Sequence, residues 1–280
     1  MSDRQAQDTT FAHDPALALA AGATAGVPGV CGALVMDAEG GVLLALRADE
    51  LFPAASVIKV PLVAALHAEA AAGRIALDEP VAVGDRVQGT GVLHDLRDVQ
   101  RVTLRDLAVL ALTVSDNTAA NLLIDRVGTD TVNAWLDAWG CGRTRLRRRM
   151  YDFAAAERGL ENVMTPRDAA LLLRRLWAGD CGGRTASDEV VAALLRCQDA
   201  SMLGRFLPDG LPLAHKTGLL SRSRNDVGIF PAERGGSVIV AAFVRDTSDL
   251  GRASDWIGLL GVGGARLAGR PVALPRGFGA

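Results

Sequence analysis

Apolar residues recur along the chain with two different periods, and the change of period divides it. Val30 to Met36 is largely apolar, Asp37-Ala38-Glu39-Gly40-Gly41 reads as a turn, and Val42 to Arg47 is apolar again. This predicts a β-hairpin, with no parallel crossover after it. Ala16 to Ala25 is a short apolar stretch, expected to form an amphipathic or buried helix. From Ser56 to Cys197 the pattern turns helical, in segments opened by caps or closed by glycines. The first runs from Val60 to Ala72 and stops at Gly73. Thr103-Leu104-Arg105-Asp106 is a capping-box pattern that opens a helix through Val114. Thr118 to Val127 and Thr131 to Trp139 follow, ended by Gly128 and Gly140. Thr165-Pro166-Arg167-Asp168 joins an N-cap, a proline at the first helical position and an acid two residues later, predicting a helix to Trp177. Another is expected from Ser187 or Asp188 to Arg196.

Strand character then returns in Leu213 to Leu220, Asp226 to Phe230 and Ser237 to Arg245, joined by turns such as Glu233-Arg234-Gly235-Gly236. A last helix covers Gly251 to Leu260 or beyond, and Arg270 to Ala280 reads as a loosely held tail. Strands at both ends and helices between them predict an α/β (α+β) protein of two lobes. Residues 1–52 and 199–280 form one antiparallel sheet flanked by the terminal helices, and residues 53–198 an inserted all-helical lobe. A cleft is expected where the lobes meet.

With 280 residues, 49% hydrophobic and 22% charged, the chain has ample material for a core and the profile of a globular protein. A net charge of −2 gives no general attraction to nucleic acid or an anionic membrane, and 4% aromatics with a single Tyr gives little base-stacking surface. No apolar run approaches the ~20 residues that span a bilayer. Met1 to Asp14 is polar and acidic, without a basic region leading into an apolar one, so the chain as written is expected to stay where it is made. Cys31, Cys141, Cys181 and Cys197 lack zinc-ligand spacing and the four His are scattered. No metal site is expected, and the cysteines read as free thiols, with a disulfide between some pair as the alternative.

Three short stretches carry candidate chemistry. Ser56-Val57-Ile58-Lys59 places a hydroxyl and an amine one helical turn apart, at a helix N-terminus that favours an oxygen nucleophile. A lysine held in a dry cleft beside other cations loses affinity for its proton and can serve as a base. Ser115-Asp116-Asn117 lies between two helices, where Asp116 or Asn117 also reads as a cap. Lys216-Thr217-Gly218 lies in a strand and offers a cation and a donor to a carboxylate, with Gly218 leaving room for a substrate against the strand edge.

Each stretch is common by chance, but in this order the three form a set with a known mechanism. Phe52 to Pro61, Thr103 to Leu123 and Lys216 to Ile229 resemble the class A β-lactamases and related penicillin-recognising serine hydrolases, and the likeness covers roughly residues 15–265. The resemblance implies that fold and a covalent acyl-enzyme at Ser56 with no cofactor. It implies Lys59 as proton acceptor, Ser115 as proton relay to the leaving nitrogen, and Asn117 on the substrate's side-chain amide. Lys216 and Thr217 would hold the substrate carboxylate, and the backbone N–H groups of Ser56 and Leu219 the oxyanion. Arg222 and Arg224, in the turn after Lys-Thr-Gly, supplement the carboxylate site or face solvent. The expected partner is a small molecule, a β-lactam or an acyl-D-Ala-D-Ala-like compound, taken by a monomer. The resemblance implies a periplasmic or secreted place only where a leader has been removed.

One departure stands out. The class A pattern Glu-x-x-Leu-Asn, whose carboxylate activates the deacylating water, is absent; counting from Gly140 its glutamate falls near Met150, in a segment several residues short. Asp152 and Glu157 are the nearest carboxylates and candidate replacements. Alternatively Glu157 and Glu161 pair with Arg143, Arg145, Arg147, Arg148 and Arg149, a run read as solvated or ion-paired rather than phosphate-binding. The departure favours as alternative a D-alanyl-D-alanine peptidase-like or esterase relative. His94 sits where this family often has a cleft-lining loop, but the favoured reading is a surface histidine.

Overall fold

The computed structural model describes residues 14–232 and 236–275. The turn expected at residues 233–236 and the end of the C-terminal stretch therefore fall largely outside the described residues.

Helix α1 (Pro15–Ala23) is capped by Asp14, whose carboxylate accepts from Ala16 N at 2.8 Å. The hairpin β1 (Val30–Asp37) and β2 (Val42–Leu46) follows, then the two-residue strand β3 (Phe52–Pro53). A tight 3-10 turn, Ala55–Ile58, leads into α2 (Lys59–Ala71). Strands β4 (Pro80–Ala82) and β5 (Arg101–Thr103) pair with each other ahead of α3 (Leu104–Thr113). Next come α4 (Asn117–Val127), α5 (Thr129–Ala138), the short α6 (Phe153–Glu157) and β6 (Val163–Met164), which pairs with β3. Helices α7 (Pro166–Ala178) and α8 (Arg184–Leu194) precede strands β7 (Ala214–Leu220), β8 (Ser223–Phe230) and β9 (Val238–Arg245), and α9 (Leu250–Leu267) completes the order.

The terminal strands form one five-stranded antiparallel sheet in the order β2-β1-β9-β8-β7, as the sequence pattern predicts. Its faces are sorted by the period of two along each strand. Leu34, Met36, Ile239, Ala241 and Phe243 belong to one core with α2, α3, α4, α7 and α8. Ala33, Val35, Val240, Ala242 and Val244 point the other way, into a second core with α1 and α9. Both faces are covered, so β1 and β9 read as continuous apolar runs rather than alternating ones.

Capping chemistry places the helices. Thr103 accepts from Asp106 N, and Thr165 from Asp168 N at 3.0 Å, as their patterns predict. The short pairs β3–β6 and β4–β5 were not expected, because two or three residues carry no readable period. Strand β8 begins at Ser223 rather than Asp226, since Leu220 pairs with Ser223 across a two-residue turn. The C-terminal stretch is held more firmly than its composition suggests: Val272 is buried in the second core and Leu274 packs against it. No helix among the described residues is long and apolar enough to cross a membrane.

Candidate active site

A cleft of about 860 Å³ opens where the 3-10 turn, the Ser115 turn, the loop after α5 and the edge strand β7 meet; Ser56, Ser115, Asn117, Lys216, Thr217 and Leu219 all line it. Three segments more than 50 residues apart in sequence thus converge, and packing explains how. Gly218 is required for the approach: a Cβ there would lie 3.0 Å from Ala54 O and 3.1 Å from both Ala55 Cβ and Val57 Cγ2. The space expected to admit substrate is filled by the turn that carries Ser56, so Gly218 brings β7 and the nucleophile's turn together instead. Two asparagines hold that turn. Asn225 on β8 donates to Pro53 O at 2.8 Å, and Asn162 O accepts from Ala54 N at 2.8 Å. Ala55 itself sits in the left-handed region, at φ 49°.

Lys59, which opens α2 three residues after Ser56, is fully buried. Its Nζ donates to Ser115 O at 2.6 Å and to Asn117 Oδ1 at 2.8 Å, and lies 3.2 Å from Ser115 Oγ. Burial, with the charge of Lys216, pushes its pKa well below the ordinary lysine value, while Asp116 pulls the other way. Lys216 is also fully buried and donates to Thr217 O at 2.8 Å. Burial lowers its pKa too, against the opposing charges of Cys197, Asp226 and Asp199. A neutral amine carries two N–H bonds and one lone pair, so Lys59 can serve both carbonyl-type acceptors and still face a hydroxyl.

Ser115 lies in the left-handed region at φ 57°, an arrangement that the surroundings must enforce. Its carbonyl also accepts from Thr90 Oγ1 at 2.7 Å. Asp116, 1% exposed, caps α4 through Ala119 N at 2.8 Å and accepts from Val92 N and Leu93 N at 2.7 and 2.8 Å. The middle residue of the second motif is therefore an anchor for both the helix and the Gly89–Leu93 loop. Gly91, at φ 108°, presses against Asp116, and a Cβ there would collide with the aspartate's Cα and Oδ2. Gly91→Ala is expected to lower stability by about 1–3 kcal/mol, read as a fall in denaturant midpoint at unchanged slope. An unshifted midpoint would show that the loop yields freely.

The loop from Thr144 to Asn162 closes on itself. Arg145 and Val163 bridge, Asn162 Oδ1 accepts from Arg147 N and Arg148 N at 2.7 and 3.0 Å, and Asp168 Oδ2 accepts from Thr144 N and Oγ1 at 2.7 and 2.9 Å. Met150 lines the cleft where the class A glutamate was expected, and Asn121 clamps its backbone: Met150 N donates to Asn121 Oδ1 at 2.7 Å, and Asn121 Nδ2 to Met150 O at 3.1 Å. Asn121, Asn162 and Asn225 carried no sequence signal, because their partners are distant backbone atoms.

Several candidates lie elsewhere. Asp152 caps α6 through Ala155 N at 2.9 Å, Glu157 is exposed, and neither lines the cleft. Glu161 does line it; Arg148 Nε and Nη2 and Asn162 N all donate to its Oε1, at 3.1, 2.8 and 2.8 Å. The arginine run is ion-paired in part, Arg145 with Asp137, Arg148 with Glu161 and Arg149 with Asp125. Arg224 lines the cleft and donates to Leu220 O and Ser223 O, whereas Arg222 turns to Asp246 O at 3.1 Å and lies outside it. His94 is also outside the cleft, 3.3 Å from Asp95. All four cysteines are free thiols, and no group of three or more His, Cys, Asp or Glu among the described residues is arranged to hold a metal ion.

Comparison with known proteins agrees with this architecture. The beta-lactamase enzyme family matches over residues 16–262. A beta-lactamase of Rhodobacter capsulatus is 31% identical over 233 residues, covering 74% of this chain and 76% of its own. The crystal structure of a beta-lactamase from Sphaerobacter thermophilus superposes with a TM-score of 0.81 at 32% identity, over 91% of this chain and 97% of that one. The ancestral class A beta-lactamase of Gram-negative bacteria gives 0.77 at 28% identity, over 88% and 95%. The chain belongs to the beta-lactamase enzyme family and is a hydrolase of the β-lactamase type.

Proposed function

We propose that the protein is a serine acyl-transfer hydrolase that opens β-lactams through an ester at Ser56. The observation that carries this reading is Lys59, three residues after the cleft-lining Ser56, a fully buried amine that donates to Ser115 O and Asn117 Oδ1, both residues of the same cleft. In its neutral form Lys59 takes the Ser56 proton as the oxygen attacks the lactam carbonyl. Ser115, within reach of the same nitrogen, passes a proton to the departing lactam nitrogen. The backbone N–H groups of Ser56 and Leu219 receive the oxyanion, each such donor typically contributing ~10²–10³ in rate. Lys216, Thr217 and Arg224 hold the substrate carboxylate, and Asn117 meets the side-chain amide. Time-resolved intact mass with benzylpenicillin tests this. A single adduct mapping to Ser56 supports it, and absence of any adduct under excess penicillin refutes it.

The cleft also favours a second reading of turnover. Met150 stands where a deacylating carboxylate was expected; the carboxylates that line the cleft are Glu161, on the same loop and restrained by Arg148, and Asp199, on the Lys216 side. On this reading the penicilloyl ester persists, and the compound turned over is an ester or a D-alanyl-D-alanine-type peptide. Any residual deacylation then depends on Glu161, and Glu161→Gln slows adduct decay by roughly 10²–10⁴, the range of general-base catalysis. Asp152→Asn and Glu157→Gln, outside the cleft, leave decay unchanged. Equal decay in the Glu161 variant and the unaltered enzyme would show that another group positions the water.

A further inference from the structure

Two aromatic rings stand exposed on the cleft wall with no part in the acylation scheme. Tyr151 and Phe153 both line the cleft, 46% and 54% exposed, with ring centroids 5.0 Å apart and planes tilted by 59°. Among the described residues they are the only exposed aromatics; Phe52, Phe230, Phe243, Trp139 and Trp256 are buried in the two cores. A lone exposed apolar residue needs no explanation, but a contiguous pair inside a concave site marks a surface that a ligand covers.

The surroundings hold the pair in place. Tyr151 has φ 65°, in the left-handed region that a bulky side chain rarely adopts. Asn121 clamps the backbone of Met150 before it, and Phe153 N donates to Tyr151 O at 2.9 Å after it. The phenol ring packs on Gly89, itself a cleft-lining residue: a Cβ there would lie 2.5 Å from Tyr151 Cε2 and Oη. Gln88, next along the chain, accepts from Asn117 Nδ2 at 3.1 Å, which ties the rings to the rim that carries Asn117. Asn117 Oδ1 is taken by Lys59 Nζ and one Nδ2 hydrogen by Gln88 O, so one N–H remains for a substrate carbonyl.

We infer that Tyr151 and Phe153 are specificity-determining residues of this cleft, a two-ring clamp for an aryl group carried next to the side-chain amide of the substrate. The inference rests on the reading of the cleft as an acylation site at Ser56, and it names the side chains that site takes: arylacetyl amides in preference to small or charged groups. A ring seated against a tilted pair meets one face and one edge, the arrangement aromatic groups favour. The charged residues that this loop gives to the cleft, Arg148 and Glu161, are paired with each other, so the wall offers no free charge to an ionic side chain. An aryl group and an amide carbonyl, one beside the other, therefore complement the rings and the remaining Asn117 N–H.

Tyr151 is the single Tyr of the chain, so protein made with fluorotyrosine gives one fluorine resonance, which reports on the clamp alone. In Ser56→Ala protein, where no ester forms, benzylpenicillin is expected to shift that resonance saturably. The penicillin nucleus with a free amine in place of the phenylacetyl amide is expected to bind at least about tenfold more weakly. With Ser56 intact, Phe153→Ala and Tyr151→Asn each lower the second-order acylation rate of benzylpenicillin by about tenfold and leave that of the nucleus within about twofold. Asparagine tolerates the left-handed backbone at 151, and should that variant misfold, the exposed Phe153→Ala carries the test. Tyr151→Phe keeps the parent ratio of the two rates, because the ring and not the hydroxyl makes the contact. A resonance unmoved by benzylpenicillin at about 10 mM, or equal losses with both compounds in Phe153→Ala, overturns the clamp. A shifted resonance without acylation of the unaltered enzyme would refute the ester at Ser56 and uphold the clamp, so the two readings fail separately.

Discussion

Replacing Ser56 with alanine is expected to abolish covalent labelling by a fluorescent penicillin while leaving the fold intact. The Ser56 turn is held by backbone and asparagine contacts: Asn225 reaches Pro53 O and Ala54 N donates to Asn162 O. None of these uses the serine hydroxyl, so the variant loses only the atom that forms the ester. Loss of a nucleophile that acts together with its base removes the rate increase the pair supplies, about 10⁶-fold where such units have been dissected. Circular dichroism and the thermal midpoint should match the parent. A variant that still accumulates label at the parent rate would move the nucleophile elsewhere, and Cys197, on the same cleft wall, would then be the first residue to examine.

The second large effect is at Lys59. Lys59→Ala is expected to slow acylation by roughly 10²–10⁴, the span of a general base. Because burial and the Lys216 charge push the Lys59 pKa well below the ordinary lysine value, the amine stays neutral in a range where an exposed lysine is protonated. Protonation removes the lone pair, so the acylation rate falls on the acid side, as pH drops through that lowered value. Lys216→Ala removes one of the two causes of the lowering, and the acid limb should move to higher pH. It should also weaken carboxylate binding, which appears in KM rather than in the limb's position. An acid limb unmoved in Lys216→Ala, or parent rates in Lys59→Ala, would separate Lys59 from the proton transfer.

Much of the architecture was legible along the chain. Continuous apolar runs such as Val30 to Met36 and Ser237 to Arg245 read as strands, and Thr103 and Thr165 marked helix starts by their own hydroxyls. Ser-x-x-Lys, Ser-Asp-Asn and Lys-Thr-Gly carried the site because each packs its chemistry into three or four adjacent residues. Signals of that kind are local, and local signals survive in a linear text.

The residues that position the chemistry were not legible, for the opposite reason. Asn121, Asn162 and Asn225 bind backbone atoms 29, 14 and 171–172 positions away, and an asparagine gives no sign of which distant carbonyl it will meet. Gly218 was read as room for a substrate, but the approach of the Ala54–Val57 turn fills that space. Asp152 and Glu157 were nearest the missing glutamate in sequence, yet the loop's closure through Asn162 and Asp168 turns Met150 and Glu161 to the cleft instead. The contact of His215 with Asp226 depends on the antiparallel pairing of β7 with β8.

The chain's order alone dictated which segments are strands, where helices begin and which hydroxyls and amines are chemically matched, since periodicity and capping act between neighbours. Folding in three dimensions decided which carboxylate reaches the cleft, which glycine lets two segments touch and which thiol stays at the cleft, because burial and long-range contact set a group's charge and access.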